Sequence, residues 1–522
     1  MSGPPEKDGD KVSAIAKQAY EELARTFPVC CFSDEFYYFP QATSEKQEWE
    51  WDRFQPEAVK ETATRLSRFE TELEALPPDI GNDPAIDAAL LRRVFQTLRE
   101  QLVEVRSHED RPTFYLTVLS VGMAQAYAKG GKEALRKRAA GVPFFLQIAE
   151  RNLQKPPEIF RQLGLEMVHS TRSYLDHLNK DRLPELTKAI SALERFGEKL
   201  GSVPVRDDFR LSPGLFDKVV RLHMDCGEGT DEVEAELDDE MKKMEERLVA
   251  RSRLLSGKES WIEAVAGLPG PALPEGGALE LFQEVVDALG RHCLANGLVS
   301  PELYQDCPVR VRPVPSYLAP IRTASAYSME PRHPPRGGSF YVINATGPKA
   351  AISEDMAECR MLAAHETWPG HHLLDMNRWL NRRSLRRPLE HPLFYEGWAC
   401  FAEELAARTG HLCRPEDRLL LDKRRYWRAV RGKVDLGLQT GSLDLEKAAK
   451  LLTGTGMTTE RARATAPRFA LNPGYQLCYT LGLKRFIELF RKFGQDNLPG
   501  FVKTVMDQGE IGFRALTAIM ES

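Results

Sequence analysis

Long apolar runs are missing from this sequence of 522 residues. No stretch approaches the ~20 apolar residues that a membrane-spanning helix needs. Residues 1–11 are polar and rich in acidic groups, so they lack the basic segment followed by an apolar one that makes a secretory signal. An excess of positive charge is missing too, since the net charge is -5 at pH 7. We therefore expect a cytoplasmic protein whose partners include neither a membrane nor a nucleic acid.

Cysteine is also sparse. The nine cysteines are scattered through the chain, and none forms a Cys-x-x-Cys pair. This usage predicts reduced thiols rather than a disulfide framework or a cysteine zinc site. A phosphate-binding loop and the Gly-x-Ser-x-Gly elbow of serine hydrolases are both absent from the sequence. Any chemistry must therefore depend on other residues.

Strand-forming patterns are few. Only residues 308–345 contain short β-rich runs, at 309–313 and 339–344, with prolines around and between them. Elsewhere apolar residues recur at helical spacing, for example over 57–75, 278–296 and 416–440. These patterns predict a mostly α, large helical protein with a small β-sheet beside a deep catalytic cleft.

A change of composition divides the chain. Residues 267–277 hold four glycines and three prolines, which is typical of a linker or a lobe boundary. We predict an N-terminal helical lobe over 1–265 and a second lobe over 266–522. The second lobe contains the short sheet at 308–345.

The His-Glu-x-x-His helix typical of zinc peptidases is missing, but a related run is present. Three of the eleven histidines fall within eight residues, at His365, His371 and His372, and Glu366 adjoins the first. On a regular helix His372 would lie about 10 Å along the axis from His365, too far to share an ion at bonds of about 2.0–2.1 Å. Pro369 removes a helical hydrogen bond, and the glycine after it tolerates unusual dihedrals. We therefore predict an irregularity here that returns one of the two histidines, His371 by preference, towards His365.

An acidic cluster follows roughly thirty residues later. Glu396 begins a second amphipathic helix, and Glu403 and Glu404 lie two turns on. Two imidazoles and one carboxylate, with a fourth position open, form the donor set of many catalytic zinc sites. Surface positions for these side chains would explain the same pattern without a metal. Glu366 points off the metal-facing stripe, so we predict that it is a base and not a ligand.

These motifs extend over roughly 315–491. They are His-Glu-Thr-Trp-Pro-Gly-His-His-Leu at 365–373, Glu-Gly-Trp-Ala at 396–399, Pro-Ser-Tyr-Leu-Ala-Pro at 315–320, Gly-Ser-Phe-Tyr-Val-Ile-Asn at 338–344, and Pro473-Gly474 followed by Tyr479 and Gly482. In them the sequence resembles the DUF885 family, whose members are expected to be metallopeptidases related to the gluzincins. The resemblance implies that the lobe over 266–522 is catalytic and zincin-like, with its metal helices at 353–405. It also implies that Glu396 is the third metal ligand and that Glu403 or Glu404 orients an imidazole.

The predicted mechanism assigns a role to each group. Zinc, the expected cofactor, lowers the pKa of a water towards ~7, and Glu366 takes the proton and passes it to the leaving amine. Tyr479, with Tyr475 one turn earlier, is the candidate donor to the transition-state oxygen. A packed tyrosine with a satisfied hydroxyl is the alternative interpretation of Tyr479.

The expected substrate is a short peptide cut near one end. We predict that the strand at 339–344 pairs with it in extended form, and that a basic residue binds a free carboxylate. Candidates for that residue are Arg322, Arg425 and Arg485. Two other classes stay open: a non-haem iron enzyme with two histidines and one carboxylate, and a helical binding scaffold with a degenerate site.

Overall fold

The computed structural model describes residues 7–44, 47–76, 82–315, 324–343 and 358–522. The protein is mostly helical, with 69% helix, and has a small three-stranded sheet. This confirms the predicted fold class in its coarse form. The chain divides into two compact units, which are Met1–Leu211 with Pro315–Thr323 and Pro388–Glu390, and Ser212–Val314 with Ala324–Arg387 and His391–Ser522.

The described part of the first unit is helical. Its helices are α1 (Lys7–Thr26), α2 (Pro56–Glu74), α3 (Asn82–Glu100), α4 (Ser107–Asp110), α5 (Pro112–Gln125), α6 (Gly131–Asn152), α7 (Glu158–Leu178) and α8 (Pro184–Ser202). Aromatic side chains fill much of its core. The ring of Phe27 lies 5.2 Å from that of Phe39 and 5.0 Å from that of Phe54, measured between centroids.

The second unit contains the sheet and all the candidate site residues that the structure describes. Its elements are α9 (Pro213–Lys218), α10 (Thr230–Ser256), α11 (Trp261–Ala266), α12 (Gly277–Ala295), α13 (Pro301–Asp306), β1 (Val309–Pro313), β2 (Ala326–Met329), β3 (Gly338–Val342), α14 (Cys359–Glu366), α15 (His371–Leu380), α16 (Pro392–Arg408), α17 (Pro415–Thr440), α18 (Leu445–Thr453), α19 (Thr459–Phe469), α20 (Leu477–Phe493), α21 (Leu498–Gln508) and α22 (Phe513–Glu521).

The three strands are arranged in the order β1-β3-β2. β3 pairs parallel with β1 and antiparallel with β2, with Phe340 opposite Val311 on one side and Tyr327 on the other. The prediction that the strand at 339–344 pairs with a peptide is therefore wrong, because both edges of β3 already pair with neighbouring strands. Asn344, at the end of that predicted strand, lies outside the described residues.

The helix that carries the histidine motif is interrupted. α14 ends at Glu366 and α15 begins at His371, so the predicted irregularity is a break between two helices rather than a kink in one. A Cβ atom on Gly370 would lie 1.9 Å from the carbonyl oxygen of His365, which only glycine avoids. The buried indole of Trp398 donates a hydrogen bond to the carbonyl of Pro369 at 2.8 Å and fixes the connection. The start of the predicted metal helices, 353–357, lies outside the described residues.

Two glycines let α16 and α20 approach closely. A Cβ atom on Gly482 would lie 2.2 Å from the carbonyl oxygen of Leu393, and one on Gly397 would lie 2.6 Å from the backbone of Gly482. This contact brings the start of α20 and the turn before it beside Glu396. The glycines of both sequence motifs therefore have a packing role.

We expect Gly482→Ala to destabilise the protein by about 1–3 kcal/mol, because the added methyl group forces the two helices apart. Gly214→Ala is the matched control in the same unit, since no atom lies within 4 Å of the Cβ position there. Chemical denaturation of the two variants measures the difference. Equal stability of both would contradict the close packing.

Candidate metal centre

Three buried side chains of the second unit converge. They are His365 at the end of α14, His371 at the start of α15 and Glu396 near the start of α16. The Oε2 atom of Glu396 lies 3.5 Å from Nε2 of His365 and 3.6 Å from Nε2 of His371. Each residue offers a donor atom, and these atoms all lie within 4.8 Å of one another. The break between α14 and α15 is what brings the two imidazoles together.

The donor set fits a zinc ion. A tetrahedral ion with bonds of about 2.0–2.1 Å keeps its donor atoms about 3.3–3.4 Å apart, close to the two separations measured here. The Oε2 atom of Glu396 is buried and has no hydrogen-bond partner among the described residues. A buried carboxylate oxygen without such a partner is costly unless a cation satisfies it. The set of one carboxylate and two imidazoles is thus able to hold a metal.

The ligand positions are electrostatically coupled. Burial acts to lower the pKa of His365, but the neighbouring side chains of Cys400, Glu396 and Glu403 outweigh it and raise that pKa well above its usual value. Burial acts to raise the pKa of Glu396, yet the two imidazoles hold it well below its usual range. Protons and a metal ion therefore compete for the same donor atoms.

Glu403 contacts the imidazole of His365 at the nitrogen that does not face Glu396. Its Oε1 atom lies 3.1 Å from Nδ1 of His365, which leaves Nε2 of the ring directed at Glu396. Arg424 and Arg428 each donate two hydrogen bonds to the same carboxylate. Burial acts to raise the pKa of Glu403, but these guanidinium groups hold it well below its usual range. Glu403 therefore remains ionised and able to orient the imidazole.

Glu404 pairs with an arginine rather than with His365. Its carboxylate accepts a hydrogen bond from Arg425 at 3.0 Å, and Arg425 also bonds to Glu240. The sequence left open which of the two glutamates orients an imidazole. In the structure it is Glu403 that contacts His365.

We expect Glu403→Gln to weaken metal affinity about 10–100-fold, because the imidazole loses its charged partner. Glu404→Gln is the matched control, since both changes break a buried ion pair and both cost stability, of the order of 3–5 kcal/mol. Only the first touches His365. Competition with a fluorescent zinc chelator measures the affinities, and an equal loss in both variants would refute the role of Glu403.

His371 is held by ring stacking. Its imidazole lies 4.1 Å from the ring of Tyr395, between centroids, with an interplanar angle of 23°. The hydroxyl of Tyr395 donates to Asp375 at 3.2 Å, and Arg378 bonds to the same carboxylate. The stacking partner is thus itself anchored, and Nε2 of His371 faces the carboxylate of Glu396.

His372 lies outside the donor set. It is fully buried, with Nε2 2.8 Å from the carbonyl oxygen of Cys307 and Nδ1 3.0 Å from the hydroxyl of Tyr327. Burial lowers its pKa to about 3, so the ring is neutral. Its contacts tie α15 to β2 and to Cys307, the residue after α13.

Glu366 stands beside the donor set but is not part of it. Its Oε2 atom accepts a hydrogen bond from the backbone N–H of Tyr327 in β2 at 2.8 Å. The side chain is 8% exposed and follows His365 directly. A carboxylate held in this way has a second oxygen available for proton transfer.

Two tyrosines bond to the outer oxygen of Glu396. The hydroxyl groups of Tyr475 and Tyr479 both donate to Oε1 at 2.8 Å, while Oε2 faces the imidazoles. Burial is the largest cause that raises the pKa of Tyr479, so its hydroxyl stays protonated. Tyr479 therefore donates a hydrogen bond to Glu396, one of the predicted metal ligands.

Comparison with known proteins identifies the family of this chain. Residues 41–520 match the family model described as "Bacterial protein of unknown function (DUF885)". The chain belongs to the DUF885 family. No curated protein sequence matches it.

Two solved structures share the fold of this DUF885 protein. One is described as a "putative lipoprotein" from Colwellia psychrerythraea, with a TM-score of 0.78 and 16% identity over 98% of both chains. The other is described as a "putative lipoprotein of unknown function" from Shewanella oneidensis, with a TM-score of 0.76 and 13% identity over 98% of this chain and 100% of that one. Among the described residues of the DUF885 protein, no helix is long and apolar enough to cross a membrane. Its cytoplasmic location stays a prediction.

Two of the three arginines proposed to bind a substrate carboxylate are paired with carboxylates of the DUF885 protein itself. Arg425 is buried against Glu240 and Glu404, and Arg485 pairs with Glu228 at 2.7 Å. Arg322 lies outside the described residues. Arg431, which sequence reasoning missed, stacks on the ring of Tyr479 instead. The run of basic residues in α17 contains no signal that separates this arginine from the others.

Proposed function

We propose that this protein is a zinc-dependent hydrolase that cleaves amide bonds in short peptides. The observation that supports this best is the buried set of His365, His371 and Glu396 with a separate carboxylate, Glu366, directly beside it. Hydrolysis at a metal centre needs both parts: donor atoms that leave a position open and a base that is not a ligand.

The residues divide the chemistry among them. His365, His371 and Glu396 would hold a zinc ion, which when bound would polarise the substrate carbonyl and lower the pKa of water towards ~7. Glu366 takes a proton from the attacking water and delivers it to the leaving nitrogen. The hydroxyl of Tyr479 keeps one oxygen of Glu396 bonded, so the carboxylate presents the other to the imidazoles.

The substrate side of the proposal rests on β2. In the described part of the chain β2 pairs on one side with β3, and the N–H of Tyr327 leaves the sheet to bond Glu366. A peptide bound along the side of β2 opposite β3 would lie against Glu366, the proposed base. Pairing of main chain with main chain tolerates many side chains, which suits an enzyme of short peptides.

A non-haem iron enzyme is the second candidate, because it uses the same donor set. The position of Glu366 favours hydrolysis, since a base next to the ligands has no required role in the iron enzyme. The two candidates differ in their metal and in their need for oxygen.

The test begins with the metal-free protein, prepared with a chelator. It is reloaded with zinc or with ferrous iron, and a mixed peptide library is read by mass spectrometry. We expect cleavage with zinc, under nitrogen as well as in air, and none without metal. Zinc-loaded protein that cleaves no peptide would refute the proposal, and turnover that requires iron and oxygen would establish the other candidate.

A further inference from the structure

Arg431 differs from the other arginines on its face of α17. Arg424 and Arg428, seven and three residues earlier, both bond to Glu403. Arg431 forms no ion pair with a carboxylate anywhere in the described ranges, although it lies beside Tyr479. Among the described residues, the guanidinium of Arg431 therefore has no ion-pair partner, although it lies close to the candidate metal centre.

Neutral contacts fix the position of Arg431. Its guanidinium carbon lies 4.3 Å from the ring centroid of Trp427 and 4.4 Å from that of Tyr479. Its Nε atom donates to the side-chain oxygen of Gln476 at 2.7 Å, and Nη2 donates to the same oxygen. These contacts orient the half-buried group without neutralising its charge. An anionic ligand would supply the missing charge, and a guanidinium group binds a carboxylate through directional hydrogen bonds.

The distance between Arg431 and the ligand set limits what can bind. Tyr479 lies between them, with its ring against Arg431 and its hydroxyl 2.8 Å from Oε1 of Glu396. The path from that oxygen through the ring to the guanidinium is at most about 10 Å, the length of about three residues of extended chain. Bonds of about 2 Å at the metal and a hydrogen bond of about 2.8 Å at the guanidinium occupy much of this length. A carboxylate on Arg431 therefore fits the residue just beyond the bond that is cut.

We propose that Arg431 binds the free C-terminal carboxylate of a peptide, so that the site acts as a carboxypeptidase. This inference rests on the proposed zinc hydrolase. Water adds its oxygen to the carbonyl carbon before the last residue, and the carbon–nitrogen bond breaks. The departing nitrogen gains a proton, so the products are a shortened peptide and a free amino acid.

The first measurement is binding, which does not depend on turnover. The probes are acetyl-Ala-Ala-Phe with a free carboxylate and the same peptide with a C-terminal amide, titrated by calorimetry into zinc-loaded Glu366→Gln protein. We expect the acid to bind about 10–100-fold more tightly, as one or two charge-assisted hydrogen bonds give. Equal affinities for acid and amide would overturn the proposal without any further variant.

Arg431→Met in the same background should remove the preference for the acid. Arg408→Met is the matched control, because Arg408 is exposed, stacks on Phe490 and forms no ion pair among the residues that the structure describes. It should keep the preference. If Arg431→Met does not fold, Arg431→Gln keeps a polar group between the two rings and must show the same loss. A preference that survives in folded Arg431 variants overturns the assignment.

Cleavage by the zinc-loaded wild-type protein separates the two proposals. Cleavage of the acid, with release of phenylalanine, and little cleavage of the amide supports both. Equal cleavage of both peptides leaves zinc hydrolysis standing and overturns the role of Arg431. An acid that binds through Arg431 but is not cleaved leaves the carboxylate site standing and counts against the hydrolase.

Discussion

Replacing Glu366 with glutamine is expected to slow peptide cleavage about 10²–10⁴-fold while the protein keeps its zinc, as loss of a general base does. The amide side chain still accepts the hydrogen bond from the N–H of Tyr327, so the local structure is preserved. It cannot take a proton from water at neutral pH. The metal ligands are unchanged, because Glu366 is separate from the set of His365, His371 and Glu396.

Two measurements check this expectation: the turnover of a peptide substrate and the zinc content by elemental analysis. Glu404→Gln is the control for loss of a buried carboxylate, since Glu404 pairs with Arg425 and lies outside the donor set. Activity in the control should stay within a few-fold of the wild type. Loss of zinc from Glu366→Gln would instead make Glu366 a ligand.

Helical spacing predicted the helices of both units closely. The predicted segments 57–75, 278–296 and 416–440 correspond to α2 (Pro56–Glu74), α12 (Gly277–Ala295) and α17 (Pro415–Thr440). Their apolar residues repeat every three or four positions, and a proline at the first position marks the start of α2 and of α17. Such information is local, so one sequence is enough to read it.

The sheet was predicted less well, because its pairing depends on contacts distant in sequence. β2 covers only Ala326–Met329, which is too short for a clear alternating pattern. Its neighbours fix it: β3 pairs along one side, and the N–H of Tyr327 bonds to Glu366, 39 residues later. The central position of β3 is likewise a matter of strand order, which the sequence pattern does not encode.

The candidate site likewise has features that local sequence predicts and features that depend on contacts distant in sequence. The spacing of the histidines already required an irregularity near Pro369, and the structure has one, in the form of a break between α14 and α15. His371 rather than His372 lies in the donor set, and His372 bonds instead to the carbonyl of Cys307, which lies 65 residues before it. Arg431 was missed because sequence alone does not show which arginines in α17 face carboxylates.

Replacing His371 with alanine is expected to lower the zinc content from about one ion per chain to almost none, because only two donors remain of a site that needs three. His372→Ala is the matched control, since it removes the adjacent imidazole. The control should keep its zinc but lose stability, by roughly 1–3 kcal/mol, because the carbonyl of Cys307 and the hydroxyl of Tyr327 lose a buried partner.

Elemental analysis of both variants after dialysis, together with their denaturation curves, separates the two histidines. The unfolding midpoint of His371→Ala should be compared with that of metal-free wild-type protein, so that loss of the ion is not confused with loss of the fold. Full zinc content in His371→Ala would exclude this histidine as a ligand. Zinc lost only from His372→Ala would assign the site to the other imidazole, although its two nitrogens already contact Tyr327 and Cys307.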